Sequence, residues 1–439
     1  MLKKLSTCYI GAQGFWEDPE AKRDIPMMFR WAMPGCFRDY RDLPWTGNGD
    51  RDHAVASILA EAMSVAGTEQ RISVSLRKEW YVRRSGIVGR GYTYQHVRGA
   101  LESLHAAGWI HVLKGVAMEG GSGIQTTFWP TQKLVDLIGV EVALVYGLRD
   151  PIVMRGSDGQ MMPVPDTREL ERRRRHIERL NEAMRGIVVS LDAPDVAWTQ
   201  NAPMMIDGRV YDPRRDQAHA VYNMTTRAGG RLYGLPYQTL SNRQKGRRAQ
   251  LRIDGAPVEE PDFSGCHPRL LYHLSGLDFD GDLYAVAHPT FGRTEAKLAT
   301  QILINASGER SGLLAFCYRL ATQAAGAQFE TTQIRMTQAE VDAIAKGHMA
   351  GAKALFEALK AKHAPIGKSL FTGAGIRLQW EESMIMTAAA MACLDKGVAT
   401  LPMHDSSITK AGSDASLMRG AMHDAYLQRA GKAPLIGGH

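Results

Sequence analysis

Two aspartates on separate strand ends are the residues best suited to chemistry. Asp262 lies in Pro261-Asp262-Phe263-Ser264-Gly265-Cys266-His267-Pro268-Arg269-Leu270-Leu271-Tyr272-His273-Leu274-Ser275-Gly276. That run reads as a short strand, a tight Ser-Gly turn and an amphipathic helix, with Pro268 in the first helical turn and Gly276 as the stop. Asp405 lies in Leu401-Pro402-Met403-His404-Asp405-Ser406-Ser407-Ile408, which reads as a strand, a sharp acidic turn and a return strand. Two carboxylates from different strands, with the backbone carbonyl of Phe263, form a set of hard oxygen ligands suited to divalent cations. Arg293 and Lys297 stand four residues apart, on one face of a helix that runs to about Ala306. Such a pair neutralises phosphate charge, and Lys297 is placed to protonate a departing phosphate.

Composition sets bounds on the whole. With 439 residues there is material for two or three domains, and 44% hydrophobic with 23% charged residues is ordinary for a globular chain. No apolar run reaches membrane-spanning length, and Met1–Ser6 has a basic start without the apolar block of a signal peptide. The five cysteines, Cys8, Cys36, Cys266, Cys317 and Cys393, are scattered and odd in number. They suit a reducing cytoplasm, and no membrane partner is expected. The net charge of +7 is compatible with nucleic acid. The clusters Arg172–Arg175, Arg214-Arg215 and Lys245-Gly246-Arg247-Arg248 all precede Asp262, and each by itself is equally a solvated face.

The elements that must position these residues follow in order. Residues 1–50 carry Trp16, Trp31 and Trp45 without periodicity and read as an irregular arm. Residues 51–145 are more regular. Ala54–Ala66 has helical spacing and stops at Gly67, and Arg71–Trp80 suits a short strand followed by a helix. Thr93 can cap a helix with Val97, Leu101 and Leu104 inward. A hairpin follows, Trp109–Lys114 and Gln125–Trp129, around the tip Gly120-Gly121-Ser122-Gly123. Helices followed by a hairpin resemble a winged helix-turn-helix, in which Gln95, His96 and Arg98 would face a DNA groove and Arg90 a phosphate. A scaffolding role for the same unit stays open. A linker, 146–165, contains Pro151, Pro163 and Pro165, and beyond it Asp166–Arg185 is a strong helix with Leu170, Ile177, Leu180 and Met184 in one stripe. Thr337–Lys362 reads as one or two helices, and Glu381–Lys396 with Met384, Ala388, Met391 and Ala392 inward and Ser413–Gln428 with Leu417, Ala421 and Tyr426 inward are further helices.

Four blocks in this order resemble the palm and fingers of family A DNA polymerases and of the single-subunit phage-type RNA polymerases. Gly230-Arg231-Leu232 with Arg247-Arg248-Ala249-Gln250 is similar to the elements upstream of motif A. The Asp262 run resembles motif A, Arg293 and Lys297 motif B, and His404-Asp405 motif C. The resemblance covers roughly residues 220–430. It implies an α+β chain: a right-hand polymerase palm and fingers with a reduced thumb over 166–439, preceded by the winged-helix domain. It also implies two Mg2+ ions, or Mn2+ in their place, held by Asp262, Phe263 and Asp405. Arg293, Lys297, His267, Gln301 and Asn305 would bind nucleotide. Arg231, Arg247, Arg248, His404 and Gln379 would contact primer and template. Three positions depart from the family pattern: His267 stands where a Glu follows the motif A aspartate, and Gln301 and Asn305 stand where aromatics follow the motif B lysine.

The expectation is therefore a compact DNA-directed DNA polymerase of a phage or mobile element. It would use two-metal-ion catalysis, lack a proofreading nuclease, and act on primer-template DNA and nucleoside triphosphates, with other replication proteins as further partners. An RNA polymerase or primase of the same superfamily is the alternative, and Ser406 together with His267 leans that way. A non-catalytic DNA-binding replication or regulatory protein is the third reading. A His-Asp phosphohydrolase would need further ligating residues on helices, and a His404-Asp405-Ser406 triad would need adjacent residues to fold back on one another.

Overall fold

The computed structural model describes residues 24–27, 29, 31–32, 40–68, 70–88, 91–117, 123–139, 144–146, 150–157, 159, 161–207, 209–240, 246–332 and 336–438. Most of the arm, Arg90, the tip residues 118–122 and Lys245 lie outside them. The chain is α+β, with long helices and small, mostly antiparallel sheets. It divides into two compact units, one comprising Met1–His219 and Tyr233–Pro257, the other Ala220–Leu232 and Val258–His439.

In the first unit, helix α1 (Gly49–Ser64) starts where the Asn48 side chain accepts the N–H groups of Asp50 and Arg51, several residues earlier than the hydrophobic spacing suggests. The strand Ile72–Val74 and helix α2 (Lys78–Val88) follow. Helix α3 (Tyr94–Ala106) is capped by Thr93, which accepts the His96 N–H, and buries Val97, Ala100, Leu101 and Leu104. The hairpin strands Ile110–Leu113 and Thr126–Pro130 pair antiparallel, and Ile72–Val74 pairs with the other edge of Thr126–Pro130, Ile72 opposite Phe128. Helix α4 (Gln132–Ile138) closes this part. Ile58, Leu59, Met63, Ile72, Leu104 and Phe128 form its core, all essentially without solvent contact.

Helix α5 (Arg168–Arg185) belongs to the same unit, capped by Thr167. Leu170, Ile177, Leu180 and Met184 are buried, in the predicted stripe. The arginines divide by surroundings. Arg173 is buried, Arg174 pairs with Asp150 (2.9 Å), and Arg175 reaches Glu171 one turn back (3.3 Å).

The strands His219–Asn223 and Thr225–Tyr233, of which residues 220–232 belong to the second unit, pair with one another. The Asp262 strand (Pro261–Phe263) leads into helix α6 (Cys266–Leu274). Four helices follow: α7 (Arg293–Asn305), α8 (Glu309–Thr332), α9 (Gln338–Lys362) and α10 (Gly375–Leu394). The hairpin Leu401–Pro402 and Ser407–Lys410 comes next, then helix α11 (Ser413–Ala430) and the strand Ile436–Gly438. Residues from α6 to α11 share one core, including Leu270, Leu303, Phe316, Phe356, Ile385, Met418 and Tyr426.

Two inward faces differ from those predicted. In α10, Ala388 and Ala392 are exposed and Met384 is half-buried, whereas Ile385, Met386, Ala389, Ala390 and Cys393 are buried with Met391. The helix begins at Gly375, before the span the sequence marked, and is apolar around most of its girth, so periodicity does not single out one face. In α11, Ala415, Met418, Met422 and Tyr426 are buried, and Leu417 and Ala421 sit half-buried at the margin. Methionine is flexible enough to fill that seam at four-residue intervals.

Candidate active site at the Asp262 strand and the His404-Asp405 turn

The Asp262 strand is held from both sides. One neighbour is Ile436–Gly438, with Asp262 opposite Gly437 and the Ser264 N–H donated to the Leu435 carbonyl (2.9 Å). On its other side lies the turn of the hairpin. Asp262 bridges Ser406 antiparallel, and the Phe263 N–H donates to the Asp405 carbonyl at 3.0 Å. The turn itself is closed by the Met403 N–H donating to the Ser406 carbonyl (3.0 Å). In an antiparallel strand a residue's N–H and C=O point the same way, so the Phe263 carbonyl faces the turn as well. The Ser406 hydroxyl donates to the buried carboxylate of Glu260 (2.7 Å) and secures the turn from beneath. Two aspartates 143 positions apart in number are thus carried by neighbouring backbones.

Gly265 makes the change from strand to helix. It is left-handed, with φ +62°, and a Cβ there would lie 2.5 Å from the Leu283 side chain and 3.3 Å from the Tyr284 hydroxyl. Only glycine combines that conformation with so close a neighbour. Tyr284, packed beneath the turn, in turn carries the basic pair. The Arg293 guanidinium lies 5.2 Å and the Lys297 ammonium 5.9 Å from its ring centroid. Arg293 is also held by Asp282 (2.6 Å), and Gly292 caps α7 with its N–H donated to Glu295 (2.9 Å). Both cations are exposed, one turn apart, and joined through Tyr284 to the turn that follows Asp262. Further along α7, Gln301 is exposed. Asn305 lies so close to Gly375 that a Cβ there would meet its Oδ1 at 1.8 Å. Asn305 therefore also packs at the start of α10.

One residue of the site was not visible in the sequence. Glu382, on α10, has no solvent exposure, and it accepts Arg231 Nε at 2.7 Å and Nη2 at 2.6 Å. It also accepts His267 Nε2 at 3.0 Å. Burial pushes the Glu382 carboxyl up, but His267 and Arg231 outweigh it and hold it below the usual carboxylate range. Asp405 feels the opposite balance: burial first, then the charge of Glu382, push its carboxyl up. Burial, reinforced by Glu382 and Asp405, pushes the Cys266 thiol far above the usual range, so Cys266 is no nucleophile. The signal for Glu382 in the sequence was a carboxylate inside an apolar helical run, which calls for a buried partner.

The remaining predicted residues lie as follows. Gln379 is half-buried on α10, three positions before Glu382 and so on its side of the helix. His404 is half-buried in the turn. In the first unit, Arg247 is buried, its guanidinium shared by Asp195 (2.7 Å) and Asp207 (2.9 Å), and Arg248 is half-buried beside it. Gln95 and Arg98 are exposed on α3, where Arg98 reaches Glu102 (2.7 Å) and Tyr94. The His96 ring contacts the Gly91 carbonyl (2.9 Å).

Among the described residues, no three His, Cys, Asp or Glu side chains are arranged to hold a metal ion by themselves. Asp262, Asp405 and the Phe263 carbonyl offer oxygen donors on adjoining backbones, a set that fits a divalent cation only if substrate phosphate and water complete it. No protein-family model matches the chain, and no curated protein is similar to it.

Proposed function

We propose that the chain is a template-dependent nucleotidyltransferase, a compact DNA-directed DNA polymerase of the family A type. The observation that carries this reading is the backbone pairing of the Asp262 strand with the Asp405 turn, Phe263 N–H to Asp405 carbonyl at 3.0 Å. A second support is the basic pair Arg293 and Lys297, tied through Tyr284 to the turn after Asp262.

On this reading Asp262 and Asp405, with the Phe263 carbonyl, hold two Mg2+ or Mn2+ ions. When bound, those ions supply Lewis acidity at the primer hydroxyl and the α-phosphate. The protein's own groups do the rest. Arg293 and Lys297 neutralise the triphosphate, and Lys297 donates a proton to the departing pyrophosphate. Arg231, fixed by Glu382, presents a guanidinium beside His267. In the first unit, the order α1, strand, α2, α3, hairpin, with Ile72–Val74 on the far edge of Thr126–Pro130, supports reading it as a winged helix. Gln95, His96 and Arg98 on α3 would then contact DNA.

Primer extension tests the reading. Wild-type protein with Mg2+, a primed DNA template and labelled dNTPs is expected to extend the primer, and Asp262→Ala and Asp405→Ala are each expected to lose about a thousandfold. Synthesis from rNTPs alone, without a primer, would transfer the assignment to an RNA polymerase or primase. Activity untouched by either substitution would remove the metal-site assignment.

A further inference from the structure

Helix α5 carries seven arginines and four glutamates, and its arginines fall into two sets. Arg173 is buried and Arg174 is held by Asp150, so both serve the fold. Arg168, Arg172, Arg175 and Arg179 are all exposed, at offsets of four, three and four. At 3.6 residues per turn they fall within an arc of about 60°, opposite the buried Leu170, Ile177 and Met184. They make one row along the crest of the helix, about 16 Å long at a rise of 1.5 Å per residue.

A solvated helix face mixes its charges, because like charges one turn apart repel. Here three like-charged pairs follow one another along the row. Arg168 adds a cation at the helix N-terminus, where the backbone dipole already presents its positive end. Among the described residues no carboxylate pairs with Arg168 or Arg172, and Arg175 meets Glu171 in an exposed contact of 3.3 Å that salt screens readily. Burial first, and then the charges of Arg173, Arg172, Arg179 and Arg175, hold the adjoining His176 below its usual range, as a positive surface requires.

The layout selects the ligand. Guanidiniums on successive turns do not converge on a point, so one small anion cannot engage all four, whereas a linear polyanion can. The exposed Glu171, Glu178 and Glu182 flank the row on one side, and Glu169 lies beyond its other side. A broad anionic plane such as a lipid surface would meet repulsion at both margins, and it would lack an apolar face to bury, since that of α5 is already in the core. A chain of phosphodiesters is narrow enough to follow the crest between the carboxylates, and the planar arginine fork matches phosphate oxygens in pairs. We infer that the crest of α5 binds the phosphate backbone of a nucleic-acid strand, without regard to base sequence. This surface goes beyond the polymerase reading and depends neither on it nor on DNA contact by α3.

Fluorescence anisotropy with labelled oligonucleotides of mixed sequence, single-stranded and duplex, tests the inference on full-length protein without metal or nucleoside triphosphate. Between about 50 and 200 mM salt, the variant combining Arg168→Gln, Arg172→Gln, Arg175→Gln and Arg179→Gln is expected to lower the slope of log affinity against log salt by about 3. Its affinity should fall at least about tenfold at the lower salt, to the same extent for unrelated sequences. A loss on either form supports the inference, and the larger loss names the form. The control removes the same charge from exposed positions of α8 and α9, through Arg310→Gln, Arg319→Gln, Lys346→Gln and Lys353→Gln. An equal loss in the control would reduce the effect to net charge and overturn the inference, as would an unchanged slope in the α5 variant. Thermal melting separates binding from folding: the α5 variant should melt no lower than wild type, because like-charge repulsion is relieved. A clearly lowered melting temperature would assign the row to the fold instead. Loss of binding to phosphatidylserine vesicles, with nucleic-acid binding intact, would give the surface to a membrane and overturn the inference.

Discussion

Arg231 and Glu382 stand 151 positions apart in the chain and meet in a two-pronged ion pair, Nε to Oε1 at 2.7 Å and Nη2 to Oε2 at 2.6 Å. Glu382 is fully buried and Arg231 largely so. The pair joins the Thr225–Tyr233 strand to α10, and Gly230, whose Cβ would lie 2.9 Å from the Ser383 hydroxyl, allows the close approach beside it.

Removing one partner of such a pair costs more than removing both, because a buried charge is left without its counter-charge. Glu382→Leu is expected to lower stability by about 3–5 kcal/mol, and Arg231→Met combined with Glu382→Leu to recover part of that loss. Urea denaturation followed by circular dichroism checks the order. A double variant no more stable than Glu382→Leu would show that the pair is not coupled.

The same carboxylate sets an acid limit. Glu382 is held below its ordinary range in the folded state, so its contribution to stability is present above the unfolded value and lost as pH falls through the folded one. Glu382→Gln should be less stable than wild type near neutrality, with the gap narrowing on acidification. Melting temperatures of both proteins across the acid range would reveal a constant gap if this linkage were absent.

Gly265→Ala should damage fold and site together. The substitution places a Cβ at φ +62°, 2.5 Å from Leu283, at an expected cost of about 1–3 kcal/mol. Tyr284 lies against the same turn and supports Arg293 and Lys297, so if the chain binds Mg2+-nucleotide as proposed, that binding should weaken as well. Calorimetric titration on the folded fraction separates the two effects; unchanged affinity would show that Tyr284 does not transmit the strain.

Two arginines of the first unit should respond in opposite ways. Arg247 is enclosed between Asp195 and Asp207, and Arg247→Met is expected to cost about 3 kcal/mol. Arg98 is exposed with an i, i+4 partner in Glu102, so Arg98→Ala should leave stability nearly unchanged. If α3 contacts DNA, Arg98→Ala should also lower affinity and reduce the salt dependence by about one counterion. Fluorescence anisotropy at several salt concentrations measures both, and an unaltered slope would exclude a phosphate contact by Arg98.

Local patterns carried much of the architecture. The Thr93 cap, the stripe of α3 and that of α5 follow from spacing that a single amphipathic helix enforces on itself. The Ser-Gly turn before α6 and the acidic hairpin were legible for a similar reason, since glycine chemistry and strand-turn-strand alternation are local. The inward face of α10 was not, because a helix buried on several sides loses the polar face that makes periodicity readable; in α11 the buried stripe runs through Met418 and Met422, beside the predicted Leu417 and Ala421.

By itself the sequence determined the elements, the acids at the two strand ends and the basic pair on α7. Only the tertiary structure decided which side chains share a charge. It placed Arg247 between Asp195 and Asp207, set Asp262 beside the Asp405 turn, and brought Glu382 to Arg231 and His267. The physical reason is that a buried carboxylate is tolerated only where donors from distant segments converge on it, and such convergence leaves no periodic trace in any one segment.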